Sequence, residues 1–285
     1  MQTSTMMQMF MDAPSSLETI IDIEFDEIEI PEGAKCQVQF YITPRTGFDA
    51  VGVDWGDGTA QDWPKSQYTM WHNWDAPGRY RVKFDERLKW FRFTEAWSFN
   101  SERTAVSRPA VYPIVWGDYV ESAQGTFSGW GGSREGRGVR NVIPWGRSIR
   151  TTYCCYEACR QITGPFPKWG PSVTVCTGTF QNCINMTGPI PAWPATATHC
   201  NQCYWNTGAT GNIPAWPSLM KSVSRCYKEC KGLTGAWTDV EGLLMSEWID
   251  KDEDGLSAHL DVVTDASDEL RALFNSDWGG TRDLT

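Results

Sequence analysis

Three groups of residues in this chain have types and spacings that suit chemistry: carboxylates in one acidic loop, thiols crowded into one segment, and tryptophans at fixed intervals. The acidic loop reads DKDEDGLSAHLD from Asp250. It places Asp250, Asp252 and Asp254 at alternating positions, then Gly255, with Asp261 at the twelfth position. That follows the first half of a calcium-binding loop, where several carboxylates converge on a hard cation. Ser257 stands where such a loop carries an apolar residue, and Asp261 where it carries Glu. A solvated acidic loop is the competing reading. No cofactor is expected, and calcium at this loop is the leading alternative.

Nine of the 10 cysteines lie between Cys154 and Cys230. In stacked coils, neighbouring strands sit roughly 4.8 Å apart. A disulfide such as Cys159–Cys183 is then conceivable, because bonded cysteines have Cα atoms roughly 4.4–6.8 Å apart. Buried free thiols acting as small apolar residues are the alternative. Cys200 and Cys203, with Cys176 and His199 near them in sequence, sketch a zinc site but supply only one close pair of ligands.

Sixteen tryptophans are present. Trp169, Trp193 and Trp216 recur once per repeat and should form a row. Buried, such a row is packing; exposed, it stacks on sugar rings or grips a protein. They are the candidate ligand-binding residues. No catalytic residue is expected. The chain has no H-E-x-x-H, G-x-S-x-G, P-loop or G-x-G-x-x-G motif, and none of His72, His199 and His259 stands in an obvious nucleophile–base arrangement.

The elements that must position these residues fall into two kinds. "ITGPFPKWG", "MTGPIPAWP" and "ATGNIPAWP" are near-copies of one another. Gly164, Gly188, Gly211 and Gly235 are spaced 24, 23 and 24 residues, and Trp145, Trp169, Trp193 and Trp216 are spaced 24, 24 and 23. Cys159, Cys183 and Cys230 give a third register, with Asn206 in the vacant slot. Such a period implies units too small to bury their own apolar faces, which stack and bury them together. Before the repeats, IIDIEF, CQVQFYI, VGVDW and YRVKF alternate apolar and polar residues, as half-buried strands do. Gly- and Pro-bearing turns separate them.

These readings give a mainly β chain in four parts: an N-terminal arm over residues 1–18, a β-sandwich over 19–100, a solenoid over 101–240, and a C-terminal cap over 241–285. The cap would contain a short helix at DASDELRALF.

VDWGDGT (Val53–Thr59) followed by HNWDAPGRYRVKF (His72–Phe84) resembles the PKD-type immunoglobulin-like domain. The resemblance implies a sandwich in which Trp55 is a core aromatic and Asp57 and Gly58 hold a tight turn. It implies no catalytic residue. YEACRQITGPFPKW, FQNCINMTGPIPAW and YKECKGLTGAW resemble the BspA-like leucine-rich repeats of bacterial surface proteins. That resemblance implies a short leucine-rich-repeat solenoid and an adhesive or display role.

The formal net charge of -10 argues against a nucleic-acid partner. No apolar run is long enough for a membrane span, and MQTSTMMQMFMDAPSS lacks the basic and apolar regions of a secretory signal. The expected function is non-enzymatic display or recognition of a protein or glycan at a virion or extracellular surface. Residues 1–18 would anchor the chain to virion or capsid proteins, and side-by-side self-assembly would be open to it. A carbohydrate-active enzyme and a calcium-stabilised interaction module are the alternatives.

Overall fold

The structure is a computed structural model describing residues 16–25, 35–99, 105–107, 109–129, 138–223 and 225–234. The expected arm before Ser16, the C-terminal cap and its helix, and Asp250, Asp252, Asp254 and Asp261 lie outside the described residues. The described chain is mainly β and contains no helix.

Its strands are β1 (Thr19–Phe25), β2 (Lys35–Pro44), β3 (Ala50–Asp54), β4 (Ala60–Pro64), β5 (Thr69–Trp74), β6 (Gly78–Phe84) and β7 (Leu88–Phe99), then β8 (Ala105–Ser107), β9 (Ala110–Val115) and β10 (Gly138–Val139), and finally β11 (Thr187–Pro189), β12 (Gly208–Asn212) and β13 (Gly232–Thr234). They form a six-stranded sheet in the order β10-β9-β1-β6-β3-β4, a four-stranded sheet β5-β2-β7-β8, and a parallel sheet β11-β12-β13. Pairing in the first two sheets is antiparallel, apart from the parallel β10–β9 edge.

The period-two pattern decides which residues face inward. Ile21, Ile23 and Phe25 from β1, Val53 from β3, and Val82 and Phe84 from β6 are buried with Cys36, Val38, Phe40 and Ile42 from β2. Phe40 meets Phe84 edge-on at 5.6 Å, joining the two sheets across one core. Asp22, expected on the polar face, is only 3% exposed, because the guanidinium groups of Arg79 and Arg81 cover it.

After β9 the chain winds into stacked coils. Isolated parallel bridges link Ser122 to Thr151, Thr151 to Val175, Val175 to His199 and His199 to Ser222. Backbone bonds run from coil to coil at alternate residues: the N–H groups of Thr152, Cys154, Tyr156 and Ala158 donate to the carbonyls of Val175, Thr177, Thr179 and Gln181. Each coil turns on two left-handed residues four apart: Gly125 and Gly129, Cys154 and Ala158, Gly178 and Asn182, Gln202 and Asn206, Arg225 and Glu229.

The buried apolar residues of the coils and of the two sheets form one cluster. Phe127 of the first coil lies 5.6 Å from Phe93 and 6.1 Å from Phe91 of β7. Backbone bonds continue there too: the Phe93 N–H donates to Thr126 and the Glu121 N–H to Lys89, each at 3.0 Å. The four-stranded sheet and the ladder of coils thus share one outward face.

One register assignment needs correction. Asn206 does not fill the vacant cysteine slot; it is a left-handed residue matching Ala158, Asn182 and Glu229. The slot belongs to Thr207, whose hydroxyl lies 3.3 Å from the Cys230 sulfur. The chain from Thr207 to Ala209 is one residue shorter than from Cys183 to Met186. Gly208 permits that shortcut, since a Cβ there would come within 2.7 Å of the Met186 carbonyl oxygen.

Candidate functional site

The tryptophan row forms, and it is internal. Trp145, Trp169, Trp193 and Trp216 stack face to face with centroids 5.9, 5.6 and 5.3 Å apart and planes within 5°, 14° and 19°. Trp116 extends the stack at 6.2 Å. Trp193 is 7% exposed and its indole N–H donates to the Tyr227 hydroxyl at 3.1 Å, while Trp169 and Trp216 are half-buried against the core. A parallel column of Phe127, Tyr156, Phe180, Tyr204 and Tyr227 packs beside it. Each inner ring of the tryptophan stack already has a ring on both faces.

The cysteines are free. Cys159 and Cys183 face a carbonyl each rather than one another: their thiols donate to Phe127 O at 3.2 Å and Tyr156 O at 2.9 Å, and the Cys230 thiol to Tyr204 O at 2.8 Å. Burial pushes the Cys183 thiol up to about 12. The Cys200 thiol donates to Met220 Sδ at 3.1 Å. Among the described residues no group of three or more His, Cys, Asp or Glu side chains has the arrangement to hold a metal ion.

The two described histidines, His72 and His199, have partners of a structural kind; His259 lies outside the described residues. His72 stacks on Trp55 at 4.3 Å and 7°, and its Nε2 lies 2.8 Å from Asp57 Oδ2. Asp57 also accepts the Thr59 N–H and hydroxyl, so the carboxylate is spent on the turn at Gly56–Gly58. Burial raises the Asp57 pKa, but the Thr59 bonds and His72 outweigh it and hold it below the ordinary carboxylate value. His199 pairs with the Thr198 hydroxyl at 2.9 Å. A cleft of about 450 Å³ beside β3 and β4 is lined by Asp54, Asp62, Lys83 and Asp85. Asp62 and Asp85 there share Arg87, and Asp85 also accepts the Gly52 N–H at 3.0 Å. These carboxylates are neutralised and hydrogen-bonded, the opposite of what a general acid needs.

The outward face of the four-stranded sheet has a different character. In β5, Met70 and Trp74 point into the core, leaving Trp71 and Asn73 outside. In β2, Gln37, Gln39, Tyr41 and Thr43 alternate with the buried set, and in β7 Trp90 and Arg92 flank the buried Phe91. Trp71 is 42% exposed and Tyr41 39%. Trp71 sits opposite Gln39, Tyr41 opposite both Thr69 and Arg92, and Trp90 opposite Thr43.

Tyr41 is therefore the diagonal neighbour of both tryptophans. Trp71, Tyr41 and Trp90 form a straight diagonal over three strands, about 7–8 Å per step. Trp90 is held in place by its indole N–H, which donates to Gln124 O of the first coil at 2.8 Å. The Gln37 amide donates to the Asn73 amide at 2.9 Å alongside. The face continues over the coils to Tyr153, 43% exposed, and to Trp205, over which the Lys228 ammonium sits at 5.0 Å.

Sequence spacing did not single out this diagonal. The signal was present: Met70, His72 and Trp74 alternate with Trp71 and Asn73 as strand residues do.

Compared with family models, with curated proteins and with solved structures, the chain matches none. No helix among the described residues is long and apolar enough to cross a membrane.

Proposed function

We propose that this protein is a non-enzymatic recognition protein of a virion or extracellular surface. In this reading an immunoglobulin-like, PKD-like sandwich and a BspA-like leucine-rich-repeat solenoid together carry one broad binding face. The observation that carries the proposal is the continuous outward face of the four-stranded sheet and the first coils, which presents exposed aromatic rings amid amides and hydroxyls. Exposed aromatics on a flat, hydrogen-bonded sheet suit a surface ligand, since they offer large contact area at low entropic cost. Among the described residues this face holds no paired carboxylates of the kind that cleave glycosidic bonds.

The test is retention of the full chain on an array of glycans and extracellular proteins, with and without the charged double variant Gln39→Glu/Trp71→Glu. Saturable retention that the double variant abolishes is the expected result. Cleavage of a bound glycan, or retention indifferent to the charged face, overturns the proposal.

A further inference from the structure

We infer that the diagonal Trp71–Tyr41–Trp90 is a binding platform for a linear, uncharged polysaccharide. The inference rests on the recognition reading above and names its ligand. Three features of the platform select that ligand.

The first is shape. The three ring positions span roughly 15 Å, two diagonal steps of the sheet. A single sugar covers one such step at most, so the row suits several consecutive units of a chain. A row on an open sheet also leaves both ends of the ligand unobstructed, as a polymer requires.

The second is chemistry. Pyranose rings carry C–H groups on their faces and hydroxyls around their rims. The C–H faces lie against indole and phenol rings, whose π faces are electron-rich. Hydroxyls at the rim meet Gln39, Thr43, Thr69 and Asn73, side chains that donate and accept. Trp90 is already fixed by its bond to Gln124, so its ring is oriented before ligand arrives.

The third is charge. The chain carries a formal net charge of -10, yet beside the diagonal the charged described side chains are Arg92 and the Lys89–Glu121 ion pair, 3.4 Å apart, whose charges cancel. Arg92 lies against the first coil, where a Cβ on Gly125 would come within 3.5 Å of its Nε. A neutral platform on an acidic protein matches an uncharged polymer, and the surrounding field repels a polyanion.

The experiment is affinity electrophoresis of the intact chain in native gels. The gels contain hydroxyethyl cellulose, glucomannan, soluble β-1,3-glucan or dextran, with polygalacturonate as the anionic comparator. At least one neutral polymer is expected to retard the protein, and polygalacturonate is not. Trp71→Ala and Tyr41→Ala are each expected to weaken retardation at least about tenfold. Trp71→Phe, which keeps a ring, retains most of it. Both sites, Trp71 and Tyr41, are exposed, so thermal unfolding of the variants should match the parent; Trp71→Phe stands in should an Ala variant fold poorly.

Absence of retardation by every neutral polymer overturns the inference. So does retardation unchanged in the Ala variants, or a preference for polygalacturonate. If the neutral polymers fail while face-dependent retention on the array persists, only the polysaccharide assignment falls. If face-dependent retention is lost as well, the recognition reading falls with it.

Discussion

Replacing Trp193 by Ala separates a packing role from a surface role for the tryptophan stack. Trp193 is 7% exposed, lies 5.6 Å from Trp169 and 5.3 Å from Trp216, and bonds the Tyr227 hydroxyl. Truncating a buried Trp to Ala removes its transfer free energy and leaves a cavity, at about 3–5 kcal/mol. The Tyr227 hydroxyl, itself fully buried, then loses a partner at about 1 kcal/mol more. The expected loss is about 4–6 kcal/mol, a large share of the roughly 5–15 kcal/mol that holds a folded domain. Trp193→Phe keeps a ring between the neighbours but removes the donor, and should cost about 1–2 kcal/mol. Trp169→Ala should cost less than Trp193→Ala, because Trp169 is only half-buried. Urea unfolding followed by far-UV circular dichroism reads these values without relying on tryptophan emission. If Trp193→Ala leaves the unfolding midpoint unchanged and abolishes ligand retention, the stack is a surface contact and the reasoning fails.

Three further outcomes follow from the same geometry. Burial raises the Asp22 carboxyl, but Arg81 and Arg79 outweigh it, so Asp22 and Asp57 both sit below their ordinary pKa. Their contribution is complete above the unfolded value of about 3.9 and is lost as pH falls through the folded value; Asp57→Asn should flatten the acid limb of a stability-versus-pH curve, and an unaltered limb counts against it. Nine of the 10 thiols are buried and Cys154 is half-buried, with Cys36 and Cys154 each pushed up to about 12 by burial, so alkylation by iodoacetamide at pH 8 should be slow in native protein and reach all 10 cysteines in urea. Mass spectrometry finding a Cys159–Cys183 disulfide would refute the carbonyl-bonded arrangement. Ala158 sits at φ 58° and Gly178 at φ 64°. Ala158→Gly should stabilise by up to about 1 kcal/mol. Gly178→Ala should destabilise, since its Cβ would meet the Cys154 sulfur at 2.8 Å; a calorimetric scan in which the two move the melting temperature the same way contradicts this.

Much of this architecture was legible because repetition leaves an arithmetic trace. The tryptophan spacing alone announces one ring per coil, and the inward sets Ile21, Ile23 and Phe25 or Cys36, Val38, Phe40 and Ile42 follow from period two. Spacing is silent on orientation. A residue recurring every 24 positions stacks whether it faces the interior or the solvent. What decides is the path of the chain at each corner. Register is equally fragile, because counting back 24 residues from Cys230 lands on Asn206, while a one-residue shortening at Gly208 moves the true equivalent to Thr207.

The outward diagonal, with Trp71 and Tyr41 exposed and Trp90 half-buried, was harder to see for a different reason. Its three rings come from β5, β2 and β7, each contributing one outward aromatic. No single strand carries an aromatic-rich outward pattern, and the diagonal exists only once two pairing registers are fixed. A one-residue slip in either register would turn one ring inward and carry a core residue out. The core therefore sets the platform: Phe40, Phe91 and Met70 must be buried for Tyr41, Trp90 and Trp71 to stand out. The two aromatic arrays of this protein are linked in that sense. The internal stack consumes its ring faces in holding coil upon coil. That leaves the sheet, whose core is filled by other side chains, to offer ring faces to a ligand.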